Sequence, residues 1–150
     1  MRYEDVQEKF LWYLRHSLQG DEQTASEIYT EDALVEFPQS GERFRGKEAF
    51  VPWRSEYPAV MIQFEVRAIR GVGDYWIVEG AVNYGDGPAM PFVDILHCRG
   101  ELIDRETIYI TQAFPPDDSR ARYAEQSAAE YTEGLPVRLT KPVMPAGTLR

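Results

Sequence analysis

The run DYWIVEGAVNYGDGPAMPFVDILHCRGELIDRETIYIT, from Asp74 to Thr111, decides how the rest of the chain is read. Tyr75, Ile77, Glu79, Ala81 and Asn83 alternate with Trp76, Val78, Gly80, Val82 and Tyr84, and a period of two is the mark of a strand. Gly85-Asp86-Gly87-Pro88 turns the chain back. A second run, Ala89 to Cys98, sets Phe92, Asp94, Leu96 and Cys98 on one face and Val93, Ile95 and His97 on the other. Arg99-Gly100 turns again into a third run, Glu101 to Thr111, so the spacing predicts an antiparallel meander with Asp94 on its central member. That carboxylate is flanked by Met90, Pro91, Phe92, Val93, Ile95 and Leu96. Burying a charge among such neighbours is costly unless it is paired or keeps its proton, so Asp94 marks a candidate site. A salt bridge to Arg105 on the next strand would meet the same cost without any function.

The 150 residues, 43% of them hydrophobic and 13% aromatic, suffice for one domain with a proper core. A net charge of -9, from 16 basic against 25 acidic residues, repels nucleic acid and anionic membrane, so neither is expected as a partner. Cys98 is the single cysteine, which excludes an internal disulfide, and His16 and His97 lie far apart, so no metal site is expected. The opening residues lack the basic and apolar regions of a signal peptide, and no run approaches the ~20 apolar residues of a membrane span. The expectation is a soluble cytoplasmic protein.

Working outward from the meander, Ala59 to Arg70 alternates with Val60, Ile62, Phe64, Val66 and Ala68 on one side. Tyr3 to Leu18 carries Val6, Phe10, Tyr13 or Leu14, and Ser17 at spacings of three and four, an amphipathic helix. Asp21 caps a second, shorter helix, Glu22 to Tyr29, and Ala33 to Phe37 alternates into a short strand ended by Pro38. Lys47 to Tyr57 reads as a third helix, with Pro52 in its first turns. After Thr111, residues Ser119 to Tyr131 have helical composition, and Gly134 to Arg150 reads as an extended arm. Leu135, Val137, Leu139 and Val143 of that arm could pack on the domain or on a partner subunit, or the arm could be a loosely ordered terminus.

Several short motifs carry a resemblance: Gly20-Asp21 after the first helix, Ile28-Tyr29-Thr30-Glu31-Asp32-Ala33-Leu34-Val35-Glu36 into the first strand, Phe44-Arg45-Gly46-Lys47-Glu48-Ala49 into the third helix, and Arg99-Gly100-Glu101-Leu102-Ile103 with Arg105 and Tyr109 at the last turn and strand. Together with the element order they make residues 3–111 resemble the nuclear-transport-factor-2-like, or SnoaL-like, superfamily, the ketosteroid-isomerase-like cone fold. The resemblance implies an α+β fold in which a curled antiparallel sheet, a cone or half-barrel, and three helices of the N-terminal half enclose one pocket. A C-terminal helix and extended tail follow, dividing the chain into a domain over 1–115 and an appendage over 116–150. Many members of the family dimerise through the outer face of the sheet, so a homodimer is implied. In ketosteroid isomerases a tyrosine of the first helix and a protonated aspartate of the sheet polarise a carbonyl while a second aspartate moves the proton. Tyr13 and Asp94 fall at the first two positions, and Phe37 stands at that of the base. The aspartate used by polyketide cyclases and epoxide hydrolases of this fold corresponds to Ile108.

The expected activity is therefore a cofactor-independent proton transfer, of isomerase, cyclase or dehydratase type, on a small apolar carbonyl or ring-bearing metabolite. A non-catalytic module that binds a hydrophobic ligand or dimerises is the alternative. Asp94 and Tyr13 are the candidate catalytic residues, and Phe37, Trp53, Tyr57, Phe64, Phe92 and Tyr109 the candidate lining, with no cofactor and no metal. Glu79 shares strand parity with Asn83 and could be a pocket acid or base, though such a residue more often lies on the solvated or dimer face, and His97, of parity opposite to Asp94, reads as a surface or interface residue. Met90 is a further apolar neighbour of the pocket, His16 suits the C-terminal end of its helix, and Cys98 reads as a small buried hydrophobe.

Overall fold

A computed structural model describes residues 1–56, 63–85, 87–125 and 135–140. Helix α1, Tyr3–Leu18, buries Val6, Phe10, Leu11, Leu14 and Leu18 along one stripe, with Glu4 and Asp5 at its positive end and Arg15 and His16 at its negative end. Helix α2, Glu22–Ala25, starts where the Asp21 carboxylate accepts from the Thr24 amide at 3.1 Å. A 3-10 turn over Ser26–Ile28 leads into β1, Tyr29–Phe37, and a short β2, Glu42–Arg45, runs back along it. Helix α3, Lys47–Ser55, presses Phe50 and Val51 into the core. Strands β3 (Gln63–Val72), β4 (Tyr75–Asn83), β5 (Met90–Arg99) and β6 (Leu102–Ile110) form the expected meander, one sheet neighbour after another.

The sheet has seven strands in the order β2-β1-β6-β5-β4-β3-β7, where β7 is Val137–Thr140. It is mixed, because β1 lies parallel to β6, pairing Leu34 with Arg105 and Glu36 with Thr107. A purely antiparallel sheet was expected. The parallel pairing arises because the chain returns to β1 through the whole meander rather than through a hairpin. Part of the tail is a strand after all: β7 pairs antiparallel with β3, and Leu135, Val137 and Leu139 pack on the core. Of the helix expected over Ser119–Tyr131, Ala121–Tyr123 forms one 3-10 turn and Ala124 and Glu125 have no regular structure. Its remainder, and Val143, lie outside the described residues, as do residues 57–62.

Two single-residue bulges shape the concave face. Val66 pairs with Gly80 but Ala68 with Glu79, so the extra residue Arg67 reverses parity and sends Ile69, not Ala68, into the main core cluster. On β6, Ile103 pairs with Cys98 and Arg105 with His97, which leaves Asp104 unopposed. Ile103 therefore points inward, and after the bulge Glu106, Ile108 and Ile110 do. Gly80 sits where β3, β4 and β5 meet. A Cβ there would lie 2.0 Å from the Glu65 carbonyl oxygen and 2.7 Å from the Phe92 ring.

Candidate active site

The helices close over the concave face to leave a cavity of about 740 Å³. Phe37, Phe44, Trp53, Phe64, Phe92, Ile108 and Ile110 supply its apolar wall. Phe37, Phe44 and Trp53 pack on one another, with Phe44 and Trp53 stacked at 4.9 Å and Phe37 edge-on to Trp53 at 5.5 Å. Asp94 enters from β5 with Phe92, as the alternation required, and is only 6% exposed. It does not pair with Arg105, which instead binds Glu36 on the outer surface at 2.8 Å. Its neighbour is Glu106 of β6, 2% exposed, standing opposite Leu96 and hence diagonal to Asp94 on the same face.

The two carboxyl groups share a hydrogen bond. Glu106 Oε2 accepts from the Tyr29 hydroxyl at 2.5 Å and from the Arg54 guanidinium at 3.0 Å, and Arg54 also donates to the Tyr29 oxygen at 3.3 Å. Arg54 is itself buried, its guanidinium 5.0–5.3 Å from the ring centres of Phe50, Tyr13 and Tyr29. One positive charge thus balances one negative charge, and a second carboxylate would leave the buried cluster with an unmatched charge. Burial, then the charge of Glu106 and the hydrogen bond to it, hold the Asp94 pKa well above the ordinary carboxylate value, with Arg54 only partly opposing. With Glu106 engaged by Arg54 and Tyr29, the protonated form is favoured at Asp94. The arrangement sets a carboxyl that favours its proton on the wall of a largely apolar cavity.

Tyr13 lines the same cavity from α1, edge-on to Tyr29 at 6.0 Å between ring centres. Burial raises its pKa, with Glu22 and Glu106 adding to the shift and Arg54 opposing it, so its hydroxyl keeps its proton. Tyr109 does not reach the cavity. The Asp104 bulge turns it to the outer face, where it is 41% exposed opposite Val93. Tyr57 lies outside the described residues. Met90 lines the cavity, whereas Glu79 faces out and pairs with Arg70 at 3.0 Å. His97 contacts Asp104 through Nδ1 at 2.5 Å on the outer side. His16 lies 4.0 Å from Asp21 and 4.3 Å, ring to ring, from Trp12. Cys98 is buried, and burial pushes its thiol up to about 11, which suits a packing role.

Sequence reasoning missed Arg54, Tyr29 and Glu106. Arg54 follows Phe50 by four residues and so shares its buried helix face, which is a usable signal. Glu106 shares parity with Ile108 and Ile110. Among the described residues no group of His, Cys, Asp and Glu could hold a metal ion.

Residues 12–106 match the SnoaL-like domain family, and the chain belongs to it. No curated protein matches the chain in sequence. A nuclear-transport-factor-2-like protein of unknown function from Burkholderia xenovorans is 33% identical with a TM-score of 0.74, the alignment covering 85% of this chain and 99% of that one. A putative ketosteroid isomerase from Kribbella flavida is 23% identical with a TM-score of 0.72, covering 85% and 93%. A de novo designed protein with a curved β-sheet, 20% identical, reaches 0.63 and covers 82% and 93%. These neighbours establish the cone fold, and the designed one shows that the fold arises without any natural activity.

Proposed function

We propose that the protein is a cofactor-independent enzyme of proton transfer, of isomerase, cyclase or dehydratase type, acting on a small apolar metabolite that bears a carbonyl or a ring. The observation that carries this reading is Asp94, whose carboxyl favours its proton beside Glu106 in a cavity walled largely by aromatic and aliphatic side chains. Glu106 already holds two donors, so it competes weakly for the Asp94 proton with a substrate oxygen that is gaining negative charge. The Tyr13 hydroxyl, also protonated, flanks that position. Hydrogen bonds of this kind strengthen as charge develops and lower the barrier by several kcal/mol in well-organised sites.

Binding of 2-naphthol, a ring-bearing enol analogue, tests the reading by fluorescence titration. Asp94→Ala is expected to weaken it about tenfold, the worth of one strong hydrogen bond. An unchanged affinity, or no binding by the wild type, removes the donor role. As part of the same reading we place the protein in the cytoplasm as a homodimer. The outer sheet face presents Tyr75, Ile77, Val93, Ile95 and Tyr109, of which Tyr75 is 64% exposed and Ile77 38%. No helix among the described residues is long and apolar enough to cross a membrane.

A further inference from the structure

The proposed chemistry has a donor for the substrate oxygen but no base, since Phe37 occupies the position from which the resemblance would draw one. Among the described residues four acidic side chains line the cavity: Glu22, Glu42, Asp94 and Glu106. Asp94 carries a proton, and Glu106 is engaged by Arg54 and Tyr29. Glu42 belongs to the exposed edge strand β2 and stands at the rim. Glu22 differs from all three. It is the first residue of α2, it is 7% exposed, and its carboxylate meets the cavity beside Tyr13 and Ser17.

Its one protein partner among the described hydrogen bonds is neutral and well placed. Ser17 Oγ donates a short hydrogen bond to Glu22 Oε1, and Ser17 stands four residues from Tyr13 on the same face of α1. The same serine lies beside Tyr13 in the cavity lining, and Tyr13 is within electrostatic reach of both Glu22 and Glu106. Glu22 therefore has its orientation set by a neutral hydroxyl, and among the described residues no lysine, arginine or histidine forms an ion pair with it. A buried carboxylate that no guanidinium or ammonium neutralises is a costly thing to keep for packing alone.

Building on the proton-transfer reading, we propose that Glu22 is the catalytic base, taking a proton from the carbon beside the carbonyl that Asp94 holds and returning it to another carbon of the same skeleton. In the first step the C–H bond breaks and the Glu22 O–H bond forms, and the electron pair moves to the carbonyl oxygen as an enolate held by Asp94 and Tyr13. In the second step the Glu22 O–H bond breaks, the oxygen's electron pair returns to restore the carbonyl, and the new C–H bond forms at the far end of a carbon–carbon double bond conjugated with the enolate. The substrate leaves as its isomer, with no water, oxidant or co-reactant consumed. This assigns the substrate class: an apolar ketone whose acidic hydrogens lie on a carbon between the carbonyl and a carbon–carbon double bond, bound between α2 and the sheet. Ser17 is a positioning residue in this scheme, acting through Glu22.

Exchange of the α-hydrogens of 2-tetralone in D2O, followed by NMR with the intact protein, tests the assignment alongside 2-naphthol binding. Glu22→Gln keeps the acceptor for Ser17 but cannot take a proton. Its exchange rate is expected to fall at least 100-fold while its 2-naphthol affinity and thermal midpoint stay near wild type. Glu22→Asp is expected to recover part of the rate, and Ser17→Ala to lower it less than Glu22→Gln does. Exchange that survives Glu22→Gln but is lost in Asp94→Ala overturns the base and leaves the donor reading intact. Absence of exchange by a wild-type protein that binds 2-naphthol also overturns the base, whereas absence of binding overturns the donor reading on which it rests.

Discussion

Asp94 ties the chemistry of one carboxyl to the pH behaviour of the whole chain. An unfolded aspartate titrates near pH ~4, while burial and Glu106 hold the folded one well above that value. Between those two pKa values the folded protein retains a proton that the unfolded chain has lost, so stability falls as pH rises through that interval and levels off above it. The slope approaches ~1.4 kcal/mol per pH unit where only the unfolded state has titrated. Carboxylates with lowered pKa behave in the opposite sense, losing their contribution as pH falls. Glu36, held by Arg105, is one, and Glu65, where Arg67 and Arg138 outweigh burial, is another. Asp94→Asn leaves both in place, so they cancel in the comparison. Urea melts from pH 4 to 8 are expected to show the wild type losing ground to Asp94→Asn as pH rises. Parallel curves would mean that Asp94 ionises normally in the folded state.

At the scale of the strand, Asp94 was legible and Glu106 was not, although both are acids among hydrophobes on neighbouring strands. Alternation along β5 runs unbroken from Phe92 to Cys98, so its inward face can be read directly. On β6 the Asp104 bulge changes the face halfway, and nothing in the residue types around Asp104 announces it. Tyr109 was accordingly assigned to the cavity and Glu106 passed over. The Arg67 bulge misplaced Ala68 for the same reason. Tyr13 lies in a helix, whose period tolerates no such slip; spacing left Tyr13 or Leu14 on the inward stripe, the resemblance singled out Tyr13, and Tyr13 lines the cavity. Arg54 escaped notice because its burial depends on Glu106, a partner 52 residues away. Gly80 shows how closely these strands meet. Gly80→Ala is expected to cost about 1–3 kcal/mol, since its methyl group would collide with the Glu65 carbonyl and the Phe92 ring. A chemical melt within ~0.5 kcal/mol of wild type would show that β3 and β5 can move apart freely.

Across the molecule the two faces of the sheet do different work. The concave face holds the acids and the aromatic wall, while the convex face carries Ile77 opposite Ile95 and Val93 opposite Tyr109 in the middle of the sheet. A homodimer burying this patch is expected to dissociate when Ile95→Lys places a charge at its centre. Sedimentation velocity would show the wild type at twice the monomer mass and the variant at the monomer mass. A monomeric wild type at micromolar concentration would withdraw that face as an interface. Naphthol affinity, read from the concave side, is expected to survive the change.

The parallel pairing of β1 with β6 has a kinetic side. It joins Tyr29 to Ile103 and Glu36 to Thr107, partners more than 70 positions apart along the chain, and loop closure of that span must precede any reward from the contact. Tyr29 and Glu106 find each other only in that same late event, so the polar cluster forms when the chain's early and late segments zip together. A nascent polypeptide released from the ribosome short of β6 carries Tyr29 and Arg54, yet lacks the carboxylate that seats them.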